Sequence, residues 1–117
     1  MEFSFKITEE KNVVLIHLIG DLMERTDSTE LIEKIDSLIA DKKSTFVLNL
    51  SKLKYMNSTG LNVLIGILSK ARNHGGEVII SEVSAKVKEL FIVTKLHTVF
   101  TISDTTKKAV ELIEKRL

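Results

Sequence analysis

Residues 46–81, "FVLNLSKLKYMNSTGLNVLIGILSKARNHGGEVIIS", carry the clearest structural pattern of this chain. Short apolar runs at 45–50 and 77–81 frame it, and such runs are typical of strands that are covered on both faces. Between them, residues 58–73 repeat apolar side chains at helical spacing, and the glycines that follow can hold a left-handed helix end. The stretch therefore predicts a strand, a turn, a helix and a strand in succession.

Upstream of this stretch, residues 3–8 alternate apolar and polar side chains, which predicts a strand with one wet face. Residues 13–19 are apolar at nearly every position and predict a buried strand, joined to the first by a short turn. The period then becomes helical from Asp27 to Asp41, with Asp27 or Ser28 as the expected cap. Two strands and a helix are therefore expected before residue 45.

Downstream, residues 85–96 show helical spacing again, and residues 98–102 predict a short last strand. A final helix is expected next, capped by Ser103 or Asp104. Its inner face is expected to carry Val110, Leu112 and Ile113. The predicted order is β-β-α-β-α-β-α-β-α, which indicates an α/β fold with right-handed crossovers and, because two strands come first, a mixed sheet.

Length and composition predict one domain over residues 1–117. Hydrophobic residues make up 44% and charged residues 28%, and the formal net charge is only +1, so no basic surface for nucleic acid is expected. The chain has no cysteine, no signal-peptide pattern and no apolar run long enough for a membrane span. We therefore expect a cytoplasmic protein that binds no nucleic acid and does not insert into membranes.

Ser58 admits a structural role and a functional one. Asn and Ser lead the ranking of capping residues, so either Asn57 or Ser58 could be only a helix cap. However, the side of the helix opposite its core face is small and uncharged, where a solvated helix would usually carry Lys and Glu, and this favours close docking of another protein. Gly66 on that side also costs roughly 1 kcal/mol relative to Ala. The predicted partner-binding residues are Asn57, Ser58, Thr59, Gly60, Asn62, Gly66, Ser69 and Asn73.

Catalytic, metal and phosphate sites have little support in the sequence. A serine hydrolase needs a base beside its nucleophile, and Met56 stands where a nucleophile elbow has its first glycine. The histidines are His17, His74 and His97, and the sequence places none of them beside Ser58. Neither glycine-rich phosphate motif is present, and the histidines lack metal-ligand spacing. We therefore expect no catalytic residue, no metal and no cofactor.

Three blocks of the sequence together resemble one known family. Residues 13–22, "VVLIHLIGDL", resemble a strand that ends in Gly-Glu-Leu or Gly-Asp-Leu. Residues 46–81 resemble a central block of strand, loop, Asp-Ser-Ser-Gly or Asp-Ser-Thr-Gly, leucine-rich helix and Gly-Gly. Residues 87–102, "VKELFIVTKLHTVFTI", resemble the next helix and the last strand. The family is the STAS domain of the bacterial anti-sigma-factor antagonist type, which implies a mixed sheet with helices packed mainly on one side.

The resemblance implies partner switching. In this family the unphosphorylated protein binds a serine kinase that is also an anti-sigma factor, which frees the sigma factor. The kinase phosphorylates the serine after the family's Asp, and a serine phosphatase restores it. By position that serine is Ser58, and Thr59 and Gly60 match the next two residues. The expected partners are therefore an anti-sigma factor/serine kinase and a serine phosphatase, and the expected state is a monomer or weak dimer.

Three residues depart from the family's pattern. Asn57 stands where members commonly have Asp, Asn49 where the preceding strand often has Asp, and Met23 where many members have an acidic residue. With Lys52 and Lys54 in the expected loop, the motif is less acidic, and a kinase that reads the Asp would act poorly here. The alternative prediction is an unphosphorylated STAS scaffold or regulatory subunit of a transport, lipid-trafficking or signalling complex. Nucleotide binding, associated with the family, has no phosphate loop to support it here.

Overall fold

A computed structural model describes residues 1–10 and 12–116, and its elements follow the predicted order. Five strands in this part of the chain, β1 to β5, are Ser4–Glu10, Val13–Leu22, Thr45–Met56, Glu77–Ser81 and Thr101–Ser103. Four α-helices, α1 to α4, are Thr29–Ala40, Ser58–Asn73, Ala85–Val93 and Thr106–Arg116. Short 3-10 turns, Arg25–Ser28 and Leu96–Thr98, precede α1 and β5.

The strands form one sheet in the order β1-β2-β3-β4-β5. β1 pairs antiparallel with β2, and the later neighbours pair in parallel, so the predicted mixed sheet is confirmed. Because β2 to β5 point the same way, the turns that leave their carboxyl ends gather at one edge of the sheet. Ser58, the first residue of α2, lies at that edge.

The helices cover the two faces of the sheet unequally. Phe46 and Leu48 of β3 pack with α1, α2 and α3 in the larger core. Val47, between them, faces the other way and packs against Ala109 and Ile113 of α4. Three helices on one face and one on the other confirm that the helices pack mainly on one side. Among the described residues, none of these helices is long and apolar enough to cross a membrane.

β3 is longer than predicted, because it continues through residues 51–56, where the sequence predicts a turn. These residues pair in parallel with the carboxyl-terminal half of β2. Leu53 is buried, and its neighbours Lys52 and Lys54 point to the opposite face of the strand and are exposed. Lys52 and Lys54 therefore lie on a strand, and the loop in which they were expected does not exist.

The predicted caps of α1 are wrong in detail. Asp27 accepts hydrogen bonds from the amides of Met23 (3.3 Å) and Glu24 (3.0 Å), so it caps the 3-10 turn before α1. Ser28 donates its hydroxyl to Arg25 O at 2.9 Å and makes no capping bond. Both side chains reach backwards along the chain because residues 25–28 already form a helical turn. The amides just before this turn, those of Met23 and Glu24, donate to the Asp27 carboxylate.

α4 also differs from the prediction at its start and on its inner face. Thr105 caps this helix, since its Oγ1 accepts from the amide of Lys108 at 3.1 Å, and Ser103, one of the two expected caps, donates to Thr105 O instead. Leu112, expected inside, is 37% exposed, whereas Ile113 is 4% exposed. Over residues 106–115, the side chains that α4 buries are Ala109, Val110 and Ile113.

Candidate functional site

Asn57 is the cap of α2, which decides between the two caps that the sequence allows. Its backbone is extended, and its Oδ1 accepts a hydrogen bond from Gly60 N at 3.0 Å. Its Nδ2 donates to Met23 O at 3.0 Å, so it also ties the start of α2 to the residue after β2. An asparagine makes both bonds, whereas a carboxylate in this position would have no donor for Met23 O.

Ser58 is the first helical residue after this cap, and its side chain is exposed. Because Asn57 supplies the cap, the Ser58 hydroxyl is not needed for capping. Within residues 1–10 and 12–116 this hydroxyl makes no hydrogen bond. The amides at the start of a helix point outward and favour negative charge. The site therefore presents an accessible hydroxyl at a place where an added anion suits the fold.

Gly60 lies beneath this surface and is buried, so the structure removes it from the expected docking face. A Cβ at Gly60 would lie 2.3 Å from Leu22 O and 2.6 Å from Met56 Cγ. The first turn of α2 therefore approaches the end of β2 at a distance that only glycine allows. Gly60 supports the position of Ser58 and offers nothing to a partner directly.

The other residues of the expected docking face lie on the accessible side of α2. Those that are exposed are Ser58, Asn62, Ser69 and Asn73, and those that are half-buried are Asn57, Thr59 and Gly66. A Cβ at Gly66 would meet nothing within 4 Å, so the surface is open there. The first charge along this side is Lys70, whose Nζ lies 2.7 Å from Asp36 Oδ1. Small, uncharged side chains thus extend over most of the helix.

Exposed apolar side chains lie close to the start of α2. Met23, whose carbonyl holds Asn57, is 40% exposed, and Tyr55, at the end of β3, is 48% exposed. The Lys86 ammonium lies 4.1 Å from the centre of the Tyr55 ring, in a cation–π contact. From the sequence Tyr55 does not stand out, because residues 51–56 look like a turn. Large apolar side chains of this kind are enriched in the cores of protein interfaces.

A second polar cluster lies at the end of β4, on the α4 side of the sheet. Asn49 is 6% exposed, and its Nδ2 donates to Glu82 Oε2 at 3.1 Å and to Thr106 Oγ1 at 2.9 Å. The same carboxylate oxygen accepts from Thr106 N at 3.1 Å and from Thr106 Oγ1 at 2.7 Å. Asparagine therefore suits position 49 for a physical reason, since an amide donates to Glu82 and a second carboxylate would repel it.

The members of this cluster could not be found from the sequence. Asn49 stands out only as a departure from the family's pattern. Its partners lie 33 and 57 residues further along the chain, and no local signal connects them. The one usable hint is that Thr106 and Glu82 both stand close to the ends of predicted elements.

The histidines lie apart from Ser58. His17 is half-buried within β2, His74 ends α2 at the far end of the helix, and His97 lies in the turn before β5. In the described part of the chain, no hydrogen bond joins any of them to Ser58. No group of three or more His, Asp or Glu residues there is placed to hold a metal ion.

One side chain with a shifted pKa, Lys43, lies at the opposite end of the sheet, before β3 begins. The hydrogen bond from Lys43 Nζ to Glu9 raises the pKa of this amine above its usual 10.5, and the charge of the same carboxylate acts in the same direction. The two atoms are 2.8 Å apart, and both side chains are exposed. Lys43 precedes β3 whereas Ser58 follows it, so this pair takes no part in the site.

Comparison with known proteins agrees with this geometry. The family model that matches is the STAS domain, over residues 4–109. An anti-sigma F factor antagonist from Paenibacillus polymyxa is 24% identical over 97% of this chain and 97% of its own length. An anti-sigma-B factor antagonist from Staphylococcus aureus is 30% identical over 92% of this chain and 98% of its own length.

Solved structures of SpoIIAA share the fold at 20% identity. The anti-sigma factor antagonist SpoIIAA in its unphosphorylated form aligns with a TM-score of 0.75 over 95% of this chain and 98% of its own. Bacillus SpoIIAA in the phosphorylated form aligns with a TM-score of 0.73 over 94% of this chain and 99% of its own. The family match spans all five strands and the first three helices. This chain therefore belongs to the STAS domain family.

Proposed function

We propose that this chain is an anti-sigma-factor antagonist that works by partner switching. Unphosphorylated, it binds an anti-sigma factor that is also a serine kinase; phosphorylation of Ser58 releases that partner, and a serine phosphatase reverses the change. The names of the curated relatives support the antagonist role, and the phosphorylated form of SpoIIAA supports the switch. The observation that carries the proposal is the exposed Ser58 hydroxyl, which has no hydrogen bond within the described residues.

Phosphorylation at Ser58 should leave the fold intact. A phosphate adds a charge of about −1.5 to −2 at neutral pH. At the start of α2 that charge stands beside outward-pointing amides, where it stabilises a helix by about 0.3–1 kcal/mol. Both hydrogen bonds of Asn57 are made without the Ser58 hydroxyl, so the cap is the same in the two states.

The same phosphate should prevent docking. The nearby side chains of Asn62, Met23 and Tyr55 are exposed and carry no charge themselves. A partner packed on this surface would have to desolvate the phosphate, and an unpaired buried charge costs several kcal/mol. A loss of about 3 kcal/mol is enough to weaken binding more than a hundredfold.

The test compares the affinities of an anti-sigma factor/serine kinase from the same organism for the wild type, Ser58→Ala and Ser58→Asp by isothermal titration calorimetry. We expect Ser58→Ala to bind like the wild type and Ser58→Asp to bind at least about tenfold more weakly. Ser37→Asp, exposed in the last turn of α1, is the matched control for an added carboxylate. Equal affinities of the two Ser58 variants would overturn the switch.

Phosphorylation itself needs a separate measurement, because Asn57 precedes Ser58 where the family commonly has Asp. The intact mass of the protein purified from its native host should fall by one phosphate after phosphatase treatment. In a kinase assay, Asn57→Asp should be phosphorylated faster than the wild type if the kinase reads the carboxylate. A mass unchanged by phosphatase, under conditions that activate the sigma factor and conditions that do not, would contradict the modification.

A second candidate function is an unphosphorylated STAS scaffold or regulatory subunit of a transport, lipid-trafficking or signalling complex. Asn57 favours this role, because it stands where phosphorylated members commonly have Asp. Its amide also donates to Met23 O, a bond that an aspartate could not make. This role predicts stable co-purification with a membrane-associated complex and normal activity of Ser58→Ala there. Under either role we expect a non-catalytic protein in the cytoplasm, a monomer or weak dimer by sedimentation velocity.

A further inference from the structure

A groove with a volume of about 410 Å³ runs between α1 and α2, and Thr59, Asn62 and Gly66 of the expected docking face line part of it. The 3-10 turn and α1 form one wall, and α2 forms the other. Ile32 from α1 and Val63 from α2 line its middle, and most of the lining surface comes from carbon atoms. Small-molecule sites in proteins enclose roughly 300–1,000 Å³, are mostly apolar and carry a few polar groups. The groove fits that description.

Gly66 keeps the groove open. A glycine within a helix costs about 1 kcal/mol relative to alanine, so it usually has a packing reason. At Gly60 the reason is the contact with the end of β2, but a Cβ at Gly66 would meet nothing within 4 Å. Packing inside the protein therefore does not require the glycine at position 66. The space that a side chain would occupy there is the α2 side of the groove.

The groove carries positive charge at one end only. Arg25 lines it together with Thr59, close to the amino terminus of α2, where helix amides favour an anion. Within the described residues, the Arg25 guanidinium has no ion pair and no hydrogen bond. At the other end Lys70 is neutralised by Asp36, with 2.7 Å between Nζ and Oδ1, and Glu33 adds a negative charge along the wall.

We propose that this groove binds an anionic amphiphile, a small molecule with a single carboxylate or phosphate headgroup and an apolar chain. The anion lies at Arg25, and the chain extends past Ile32 and Val63 over Gly66. From Thr59 to Lys70 the wall of α2 measures about 16 Å at 1.5 Å per residue, which suits a chain of medium length. A second anionic group on the chain would meet Glu33, so the groove selects for ligands with one anionic headgroup. This binding does not require phosphorylation of Ser58 or an anti-sigma partner.

The test is a titration of the isotope-labelled chain with decanoate, followed by amide chemical shifts in two-dimensional NMR. We expect saturable shifts centred on Thr59, Val63 and Gly66. Acetate, which lacks the chain, should cause none of them, and decan-1-ol, which lacks the charge, should bind at least about tenfold more weakly. Decyl phosphate in place of decanoate then shows which headgroup the Arg25 end prefers.

Two variants separate the apolar part of the site from the charged part. Gly66→Leu fills the groove with a better helix former, so the protein should fold and lose decanoate binding. Arg25→Gln should weaken decanoate about tenfold and leave decan-1-ol unchanged. Asn73→Leu, at the exposed end of α2, is the control and should bind like the wild type. Decanoate binding retained by a folded Gly66→Leu, or shifts that never saturate, would overturn the proposal, and equal binding of acid and alcohol would overturn its charged end.

Discussion

Gly60 and Gly66 lie in the same helix, and replacing each by alanine should shift stability in opposite directions. Alanine in a helix interior is favoured over glycine by about 0.5–1 kcal/mol, because less backbone entropy is lost on folding. At Gly66 nothing lies within 4 Å of the new methyl group, so this gain should appear in full. At Gly60 the methyl group would lie 2.3 Å from Leu22 O, 2.6 Å from Met56 Cγ and 3.2 Å from Leu22 Cγ.

The contact with Leu22 O determines whether Gly60→Ala raises or lowers the free energy of unfolding. Heavy atoms in ordinary contact are about 3.5–4.0 Å apart, so the helix start or the end of β2 must move by about 1 Å. Met56 can turn its side chain away, but Leu22 O belongs to backbone that is paired with β3. Overpacking of this kind costs about 1–3 kcal/mol, which exceeds the gain in helix propensity. We expect Gly60→Ala to lose about 1–2 kcal/mol and Gly66→Ala to gain up to about 1 kcal/mol.

Urea unfolding followed by far-ultraviolet circular dichroism measures both changes as shifts in the unfolding midpoint at constant slope. In thermal melts of a domain of this size, each kcal/mol corresponds to a shift of about 4 °C. Equal unfolding midpoints of the two variants, or a higher midpoint for Gly60→Ala than for Gly66→Ala, would contradict this expectation. Either result would mean that the close approach of α2 to β2 adapts to a side chain without cost.

The remaining predictions concern single contacts of the fold. Asn57→Ala removes both the cap of α2 and the bond to Met23 O, so we expect a loss of about 1–2 kcal/mol in urea unfolding. Asn49→Asp replaces a buried donor with a carboxylate beside Glu82, and we expect a loss of at least about 2 kcal/mol in urea unfolding, partly restored when Glu82→Gln is added. In thermal melts Ile113→Ala should cost about 2–4 kcal/mol and Leu112→Ala less than about 1 kcal/mol, because only the first side chain is buried.

Exposed positions supply the controls for these variants. Asn62→Asp makes the same chemical change as Asn49→Asp on the open side of α2 and should alter stability by about 0.5 kcal/mol or less. A loss as large as that of Asn49→Asp would contradict the special role of the buried amide. Equal losses at positions 112 and 113 would contradict the orientation of α4 against the sheet.

Patterns within short windows of the sequence were enough for the element order and the mixed sheet. The apolar runs of β2, β3 and β4 are buried on both faces, and each indicates a central strand on its own. The helix over 58–73 matches α2, and Gly75 takes the left-handed conformation after its end, with φ of 78°. These features are local, because a helix or strand is set largely by periodicity and by the residues that stop it.

Other features depended on which elements meet. Residues 51–56 form a strand because they pair with the end of β2, although Lys52 and Lys54 make this segment resemble a turn in the sequence. Leu112 is exposed because α4 packs on the sheet through Ala109, Val110 and Ile113. In so short a helix, the apolar pattern defines the buried face only to within about one residue. Backbone pairing and burial are properties of contacts between distant segments, and such contacts leave no local trace in the sequence.

The site divides in the same way. Capping chemistry and helical period are local, so the sequence alone predicts a serine at a helix start beside a small, uncharged surface. Three features appear only in the folded structure: Asn57 caps α2, Gly60 packs against the end of β2, and Asn49 donates a hydrogen bond to Glu82. The groove at Gly66 likewise exists only where α1 lies against α2. These features need the folded structure because hydrogen-bond partners and open space are set by packing between elements that are far apart along the chain.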